Sequence, residues 1–235
     1  MGAGGQTGRQ ARFGLLLATL VVAYLISALT SDQAGRAVQV VLFVVAALLG
    51  LRRASLPRRL KALVIWVALG GSVAVVTMTA LSSGAVARGA ASIWTGMLLL
   101  LTVVIIVERV LRLDTVTLQS IYGALSAYLV IGLMFASFFA ATDSVSGADF
   151  FANGEPANTQ TFQYFSFTTL TTLGYGDFTA GGGFGRAVAV LEALTGQVFL
   201  ATLVARLVSA YRGTARRNPP PEDPPAANGE GKTPR

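Results

Sequence analysis

The sequence predicts an all-α membrane protein: six transmembrane helices, with a re-entrant helix between the fifth and the sixth. Three observations carry this prediction. Of 235 residues, 53% are hydrophobic and 12% charged, and the mean hydropathy is +0.63, too apolar for a soluble domain of this length. Apolar stretches recur at the length of about 20 residues that a hydrocarbon core about 30 Å thick requires of a helix. Basic residues gather between alternate stretches, as short cytoplasmic loops do.

The six spans are Phe13 to Thr30, Ala34 to Leu51, Leu60 to Leu81, Ala90 to Val107, Leu118 to Ala141 and Phe184 to Tyr211. The first has only Arg9 and Arg12 on its flank and no clear small-residue cleavage site before Asp32, so it reads as a retained helix rather than a signal peptide. Between the second and third spans lie Arg52, Arg53, Arg58, Arg59 and Lys61, whereas the loops on either side hold only Arg36 and Arg88. That bias places the N-terminus inside. Alternation then puts Arg109, Arg112, Arg212, Arg216 and Arg217 on the same side, and fifteen of the eighteen basic residues become cytoplasmic. Both termini are expected in the cytoplasm, in a cell membrane of the bacterial inner-membrane type.

Between the fifth and sixth spans, the stretch 142–183 is too polar to cross but contains the apolar piece Phe162 to Leu173. Twelve residues at about 1.5 Å each reach about 18 Å, enough to enter a bilayer and not to leave it. Asn158 or Thr159 is placed to cap such a half-helix. Non-helical backbone survives at that depth only when buried in protein or lining water, and the chain returns through Thr171-Thr172-Leu173-Gly174-Tyr175-Gly176-Asp177. Glycines at alternate positions, Gly174 and Gly176, let consecutive peptide units adopt dihedrals closed to residues with a Cβ, so that successive carbonyls face one side. A row of carbonyls can replace the water stripped from a cation, a loss of about 20 kcal/mol by an idealised Born estimate.

This run resembles the selectivity filter of the potassium channel family, which reads Thr-Val-Gly-Tyr-Gly. Carried over residue by residue, the resemblance implies K+ held by the carbonyls of Thr172, Leu173, Gly174 and Tyr175, with the Thr172 hydroxyl at the inner mouth and Gly176 completing the ion-binding strand. Leu173 departs from the common Val, a change of packing behind the filter. Domains then follow as a cytoplasmic N-terminus (1–12), a four-helix membrane domain (13–107), a cytoplasmic linker (108–117), a pore domain (118–211) and a disordered cytoplasmic tail (212–235) rich in Pro, Gly and charge. Within the pore domain the outer helix is 118–141, the pore helix 161–171, the filter 172–177 and the inner helix 184–211. One pore loop per chain cannot encircle an ion, so the resemblance implies a homotetramer in the lipid bilayer.

Several residues are expected to support the filter. The pore helix would point its partially negative C-terminal end toward the ion. In the resembled family, aromatic residues at the positions of Tyr164 and Phe165 brace the filter from behind; simple aromatic packing is the alternative. Small bacterial potassium channels often carry an acid where this chain has Thr168, so a carboxyl partner for Asp177 from that position is missing and the carboxyl-linked inactivation of the family does not carry over. Thr168, Thr169 and Thr171 are left to offer hydroxyl bonds. Asp143, Asp149, Glu155 and Asp177 lie in the outer region, where an acidic field would raise the cation concentration; for Asp143 and Asp149 a merely acidic exposed loop is the favoured reading, and Arg186 is an interfacial anchor or a partner for one of these acids. Gly196 lies where related channels carry a hinge glycine, although glycine also serves close helix packing. Glu192 is an ionisable group inside a span, functional by default, facing either the pore helix or a water-filled space. Arg206 is close enough to the inner end to snorkel.

Other functions fare poorly. The fourth span, 90–107, has no arginine at all, and Arg109 and Arg112 lie past its inner end, so a strong voltage sensor is not expected. Cysteine and histidine are absent, which removes disulfides and the commonest zinc sites. No span contains an Asp, and the only lysines, Lys61 and Lys232, lie at an edge and in the tail, so a membrane-embedded hydrolase has no catalytic set. No enzyme activity, no cofactor beyond K+ as permeant ion, no nucleic-acid partner and no soluble regulatory domain are expected. The remaining alternatives are a non-selective monovalent cation channel and a potassium transporter subunit, the latter usually showing several pore-like segments in one chain.

Overall fold

A computed structural model describes residues 4–29, 33–51, 57–82, 84–111 and 117–217. Seven helices make up this part of the chain: α1 (Gly4–Leu29), α2 (Gln33–Leu51), α3 (Arg58–Leu81), α4 (Ala85–Leu111), α5 (Leu118–Ser146), α6 (Thr159–Leu170) and α7 (Gly183–Arg217). Four of them are long and apolar enough to cross a membrane, over Lys61–Leu81, Ala85–Leu111, Leu118–Ser146 and Gly183–Ser209; α1 adds a shorter apolar stretch, Phe13–Leu29. The protein is a multi-pass, all-helical membrane protein.

Element boundaries shift outward from the expected ones because amphipathic ends continue a helix past its apolar run. Helix α4 extends to Leu111, absorbing Glu108 and Arg109, which sequence reasoning assigned to a linker; Arg109 stands 5.3 Å over the Phe13 ring. Arg52, Arg53 and Arg112 lie outside the described residues. Helix α5 runs to Ser146 instead of 141 and stops at Gly147, whose φ of 65° ends the helix in the left-handed conformation. Helix α7 continues to Arg217, so the segment expected to begin a disordered tail at residue 212 is helical for six more residues; 218–235 lie outside the described residues.

Helix α5 is the axis of the fold. Two-thirds of its apolar window is buried, against 11% for α7 and for α3. Small residues allow this: a Cβ added at Gly132 would meet the Phe167 ring of α6 at 2.5 Å, and one at Gly96 of α4 would meet Phe138 of α5 at 2.6 Å. The core continues from Leu99 and Ile106 of α4 through Val130, Leu133 and Phe139 of α5 to Phe162 and Leu170 of α6.

Helix α1 holds α6 directly, a role not legible in the apolar run of its span. Ser27 Oγ of α1 donates to Gln163 Oε1 at 2.8 Å in a buried setting, Gln160 Nε2 donates to the Ala28 carbonyl at 3.1 Å, and Tyr24 packs edge-on against Phe167 at 5.2 Å.

Substituting Gly132→Ala should destabilise the protein by about 1–3 kcal/mol, because the Phe167 ring is already pinned by Tyr24 and overpacked cores do not relax freely. Gly14→Ala, whose added methyl finds only an ordinary contact at 4.0 Å, should leave stability unchanged or slightly raised. Thermal unfolding in detergent compares the two.

Candidate functional site: a short helix and the strand that returns from it

Helix α6 begins at a complete cap. Asn158 Oδ1 accepts from Gln160 N at 2.9 Å and Thr161 N at 3.0 Å, while Thr161 Oγ1 accepts from Asn158 N at 3.0 Å. Of the two candidates, Asn158 is the cap and Thr159 the first helical residue. The helix starts two residues earlier and ends one earlier than 161–171, with Thr171 as its C-cap.

Its last carbonyls are met by the chain that follows. Leu173 N and Gly174 N both donate to Thr168 O, at 2.8 and 3.2 Å, and Thr172 N donates to Thr169 O at 2.9 Å. Tyr128 of α5 reaches Leu170 O through its hydroxyl at 3.2 Å. The Thr168 hydroxyl, expected to help the filter region, turns back to Phe165 O at 3.0 Å; Thr171 Oγ1 likewise returns to Phe167 O at 2.7 Å. Helix geometry takes these protons because the i−3 and i−4 carbonyls are the nearest acceptors.

From Thr172 to Gly176 the backbone alternates. Positive φ occurs at Thr172 (57°), Gly174 (53°) and Gly176 (82°), and not at Leu173 or Tyr175 between them. For a β-branched residue such as Thr172 this is a sparsely populated conformation, and Gln197 of α7 donates to its hydroxyl at 3.2 Å. Residues 171–177 are all exposed in the single chain, Leu173 by 55% and Tyr175 by 67%. No atom lies within 4 Å of a Cβ built on either glycine.

Asp177 ends the run as a hub. Its Oδ2 accepts from the Tyr164 hydroxyl at 2.7 Å, its Oδ1 from Phe178 N at 3.1 Å, and its carbonyl from Asn153 Nδ2 at 2.6 Å. The Tyr164 bond therefore goes to Asp177 rather than to Tyr175; the two tyrosine rings lie parallel within 9° at 6.5 Å between centroids. The hydrogen bond to Asp177 holds the Tyr164 proton, pushing that phenol up to about 12. Phe165 is not against the strand. It sits in an aromatic core with Phe139 at 5.0 Å, Phe150 and Phe151. The loop after α5 is stitched to the far side of the run by Ala152 N to Thr179 O (2.9 Å) and Gly181 N to Phe150 O (2.8 Å), and Arg186 Nε donates to Ala180 O at 2.9 Å rather than to an acid.

Behind α6, Glu192 of α7 is completely buried and meets Ser166 Oγ at 2.5 Å; the same Oγ lies 2.6 Å from Gly132 O of α5. Of the two alternatives, Glu192 faces α6, the helix expected to be the pore helix. Serine has one proton and the Gly132 carbonyl can only accept. The serine proton therefore goes to Gly132, and the proton of the Ser166–Glu192 contact belongs to the carboxyl. One turn on, Gly196 passes the end of α6 so closely that a Cβ there would lie 2.2 Å from Leu170 O. Close packing accounts for this glycine, and α7 runs unbroken through it. Sequence reasoning missed Ser166, Tyr128, Asn153 and Gln197, polar groups whose partners lie 24 to 42 residues away.

Glu192→Gln keeps a donor for Ser166 and should change stability by less than about 1 kcal/mol, whereas Glu192→Ala should cost about 1–3 kcal/mol for the lost buried bond, read as the melting temperature in detergent. Tyr164→Phe should leave the fold intact and free Asp177; the expected result is a several-fold faster loss of ion flux during sustained conduction, measured in reconstituted vesicles.

Comparison with known proteins bears on this half of the chain. No curated protein matches it. Residues 123–212, which span most of α5, all of α6 and the returning strand, and most of α7, match the family model described as ion channel, and this match supports an ion channel.

Proposed function

We propose that the protein is a potassium-selective channel in which four copies each contribute the strand 172–176 to one pore. The observation that carries the reading is the alternation of backbone conformation at Thr172, Gly174 and Gly176 on an exposed strand that follows the C-terminal end of α6. Alternating signs of φ turn successive carbonyls to one side, and the helix end adds partial negative charge beside them. The carbonyls of Thr172, Leu173, Gly174 and Tyr175 are the proposed K+ ligands.

Exposure supports assembly. Along α7, Val190, Leu194, Val204 and Val208 repeat at helical spacing and are 48–59% exposed, while Leu191 and Val198 stand on a neighbouring stripe at 59% and 66%. Lipid covers one such stripe in a membrane, and a second copy the other. The six-span reading adds α1 and α2 to the four helices long and apolar enough to cross a membrane and keeps both ends cytoplasmic. Strong voltage dependence is not part of this function: α4 bears only Arg88 and Arg109, near its two ends, and each charge that crosses the field is worth about 2.3 kcal/mol per 100 mV.

Purified protein reconstituted in liposomes should pass K+ far faster than Na+, with block by barium. Equal fluxes would replace this reading with a non-selective cation channel.

A further inference from the structure

At the filter end of the bundle, α2, α3, α4, α5 and the start of α6 enclose a cavity of about 470 Å3, within the range of small-molecule sites. Its chemistry is graded with depth. Here α3 ends, α4 begins, α5 ends and α6 begins, so Ser82, Arg88, Asp143 and Asn158 form the rim. Leu133 of α5 lies ten residues below Asp143, about 15 Å along the helix, and lines the apolar depth with Phe43 and Val40 of α2.

The hydroxyls on the walls define what the upper part accepts. Thr79 Oγ1 donates to Val75 O at 3.0 Å, Ser137 Oγ to Leu133 O at 2.9 Å and Ser144 Oγ to Ala140 O at 2.9 Å. Each has spent its proton on its own helix, so only lone pairs face the cavity. These three and the Asp143 carboxylate offer acceptors to a group with several N–H donors, beside Ser92, Thr95 and the Asn158 amide on the same walls. Arg88, near enough to Asp143 for their charges to interact, supplies a fork of donors suited to a phosphate.

From this arrangement we infer that the cavity binds a zwitterionic phospholipid whose head carries a phosphate at Arg88 and a primary ammonium at Asp143, with one acyl chain in the depth beside Phe43 and Leu133. A quaternary ammonium has no N–H for the lone pairs, and an anionic head brings no second cation to share the Asp143 carboxylate with Arg88. The bound lipid also touches α6, since Gln160, Phe162 and Gln163 line the same space.

The test uses the full chain purified in detergent and native mass spectrometry with phosphatidylethanolamine, phosphatidylcholine and phosphatidylglycerol. Retention of phosphatidylethanolamine at least ten-fold above the other two is expected, falling about ten-fold in Asp143→Asn and in Arg88→Gln. Equal retention of the three lipids, or a preference that survives either variant, would overturn the assignment. A phosphatidylethanolamine with a photoactivatable acyl chain, applied to the unaltered protein, should label α5 near Leu133 and α2 near Phe43; labelling confined to the exposed faces of α7 would equally sink it.

Discussion

The second half of the chain is organised around satisfying the two ends of one short helix. Helix α6 has only 12 residues, so its unsatisfied end groups are a large fraction of its backbone, and in hydrocarbon each would cost several kcal/mol. The sequence solves the two ends differently. At the start, Asn158 and Thr161 exchange bonds within one turn. At the finish no side chain of the helix suffices, and the carbonyls of residues 168–170 draw on the amides of 172–174 and on Tyr128 from α5. The amides of Leu173 and Gly174 reach back to Thr168 O from beyond Thr172, whose φ is positive. The unusual backbone at Thr172 and the closure of the helix thus go together.

Lateral support follows from the same constraint. A helix that ends inside a protein cannot be fixed by length, as a spanning helix is, and so needs partners around its circumference. Ser27 of α1 takes Gln163, Gly132 of α5 takes Ser166, and Glu192 of α7 takes the other side of Ser166. Each is a polar contact in an apolar setting, where leaving a partner unmade is more costly than the bond is stabilising. They act as registration pins for packing supplied mainly by Phe139, Phe150, Phe151, Phe162 and Phe165.

What the sequence made legible reflects which signals are local. The long apolar runs, the cap at Asn158 and the alternate glycines are read within a few residues, and they located α3 to α7 and the returning strand. Helix ends were misplaced by a few residues at Leu111, Ser146 and Arg217 because charged or small residues continue a helix as readily as they end one. The partners of Tyr164 and Ser166 were not legible, since a phenol or hydroxyl carries no address and its acceptor is chosen by the fold. Thr168 misled for a similar reason. A buried acid does meet α6, but from α7: Glu192 contacts Ser166 and not Asp177.

Glu192 is one of three residues that tie α7 to the strand and the helix before it. Glu192 and Gly196 are four residues apart and share a face of α7, and Gln197 follows immediately. They touch, in turn, the middle of α6, its last carbonyl and the first residue of the strand. Two of the three contacts are hydrogen bonds and the third is backbone against backbone, so none stretches over more than a few tenths of an ångström without breaking. A displacement of α7 at this level cannot leave α6 and Thr172 unmoved. Below Gly196, Arg206 Nη2 ties α7 to the end of α4 through Leu111 O at 3.1 Å. The upper part of α7 is thus built as part of the strand's scaffold.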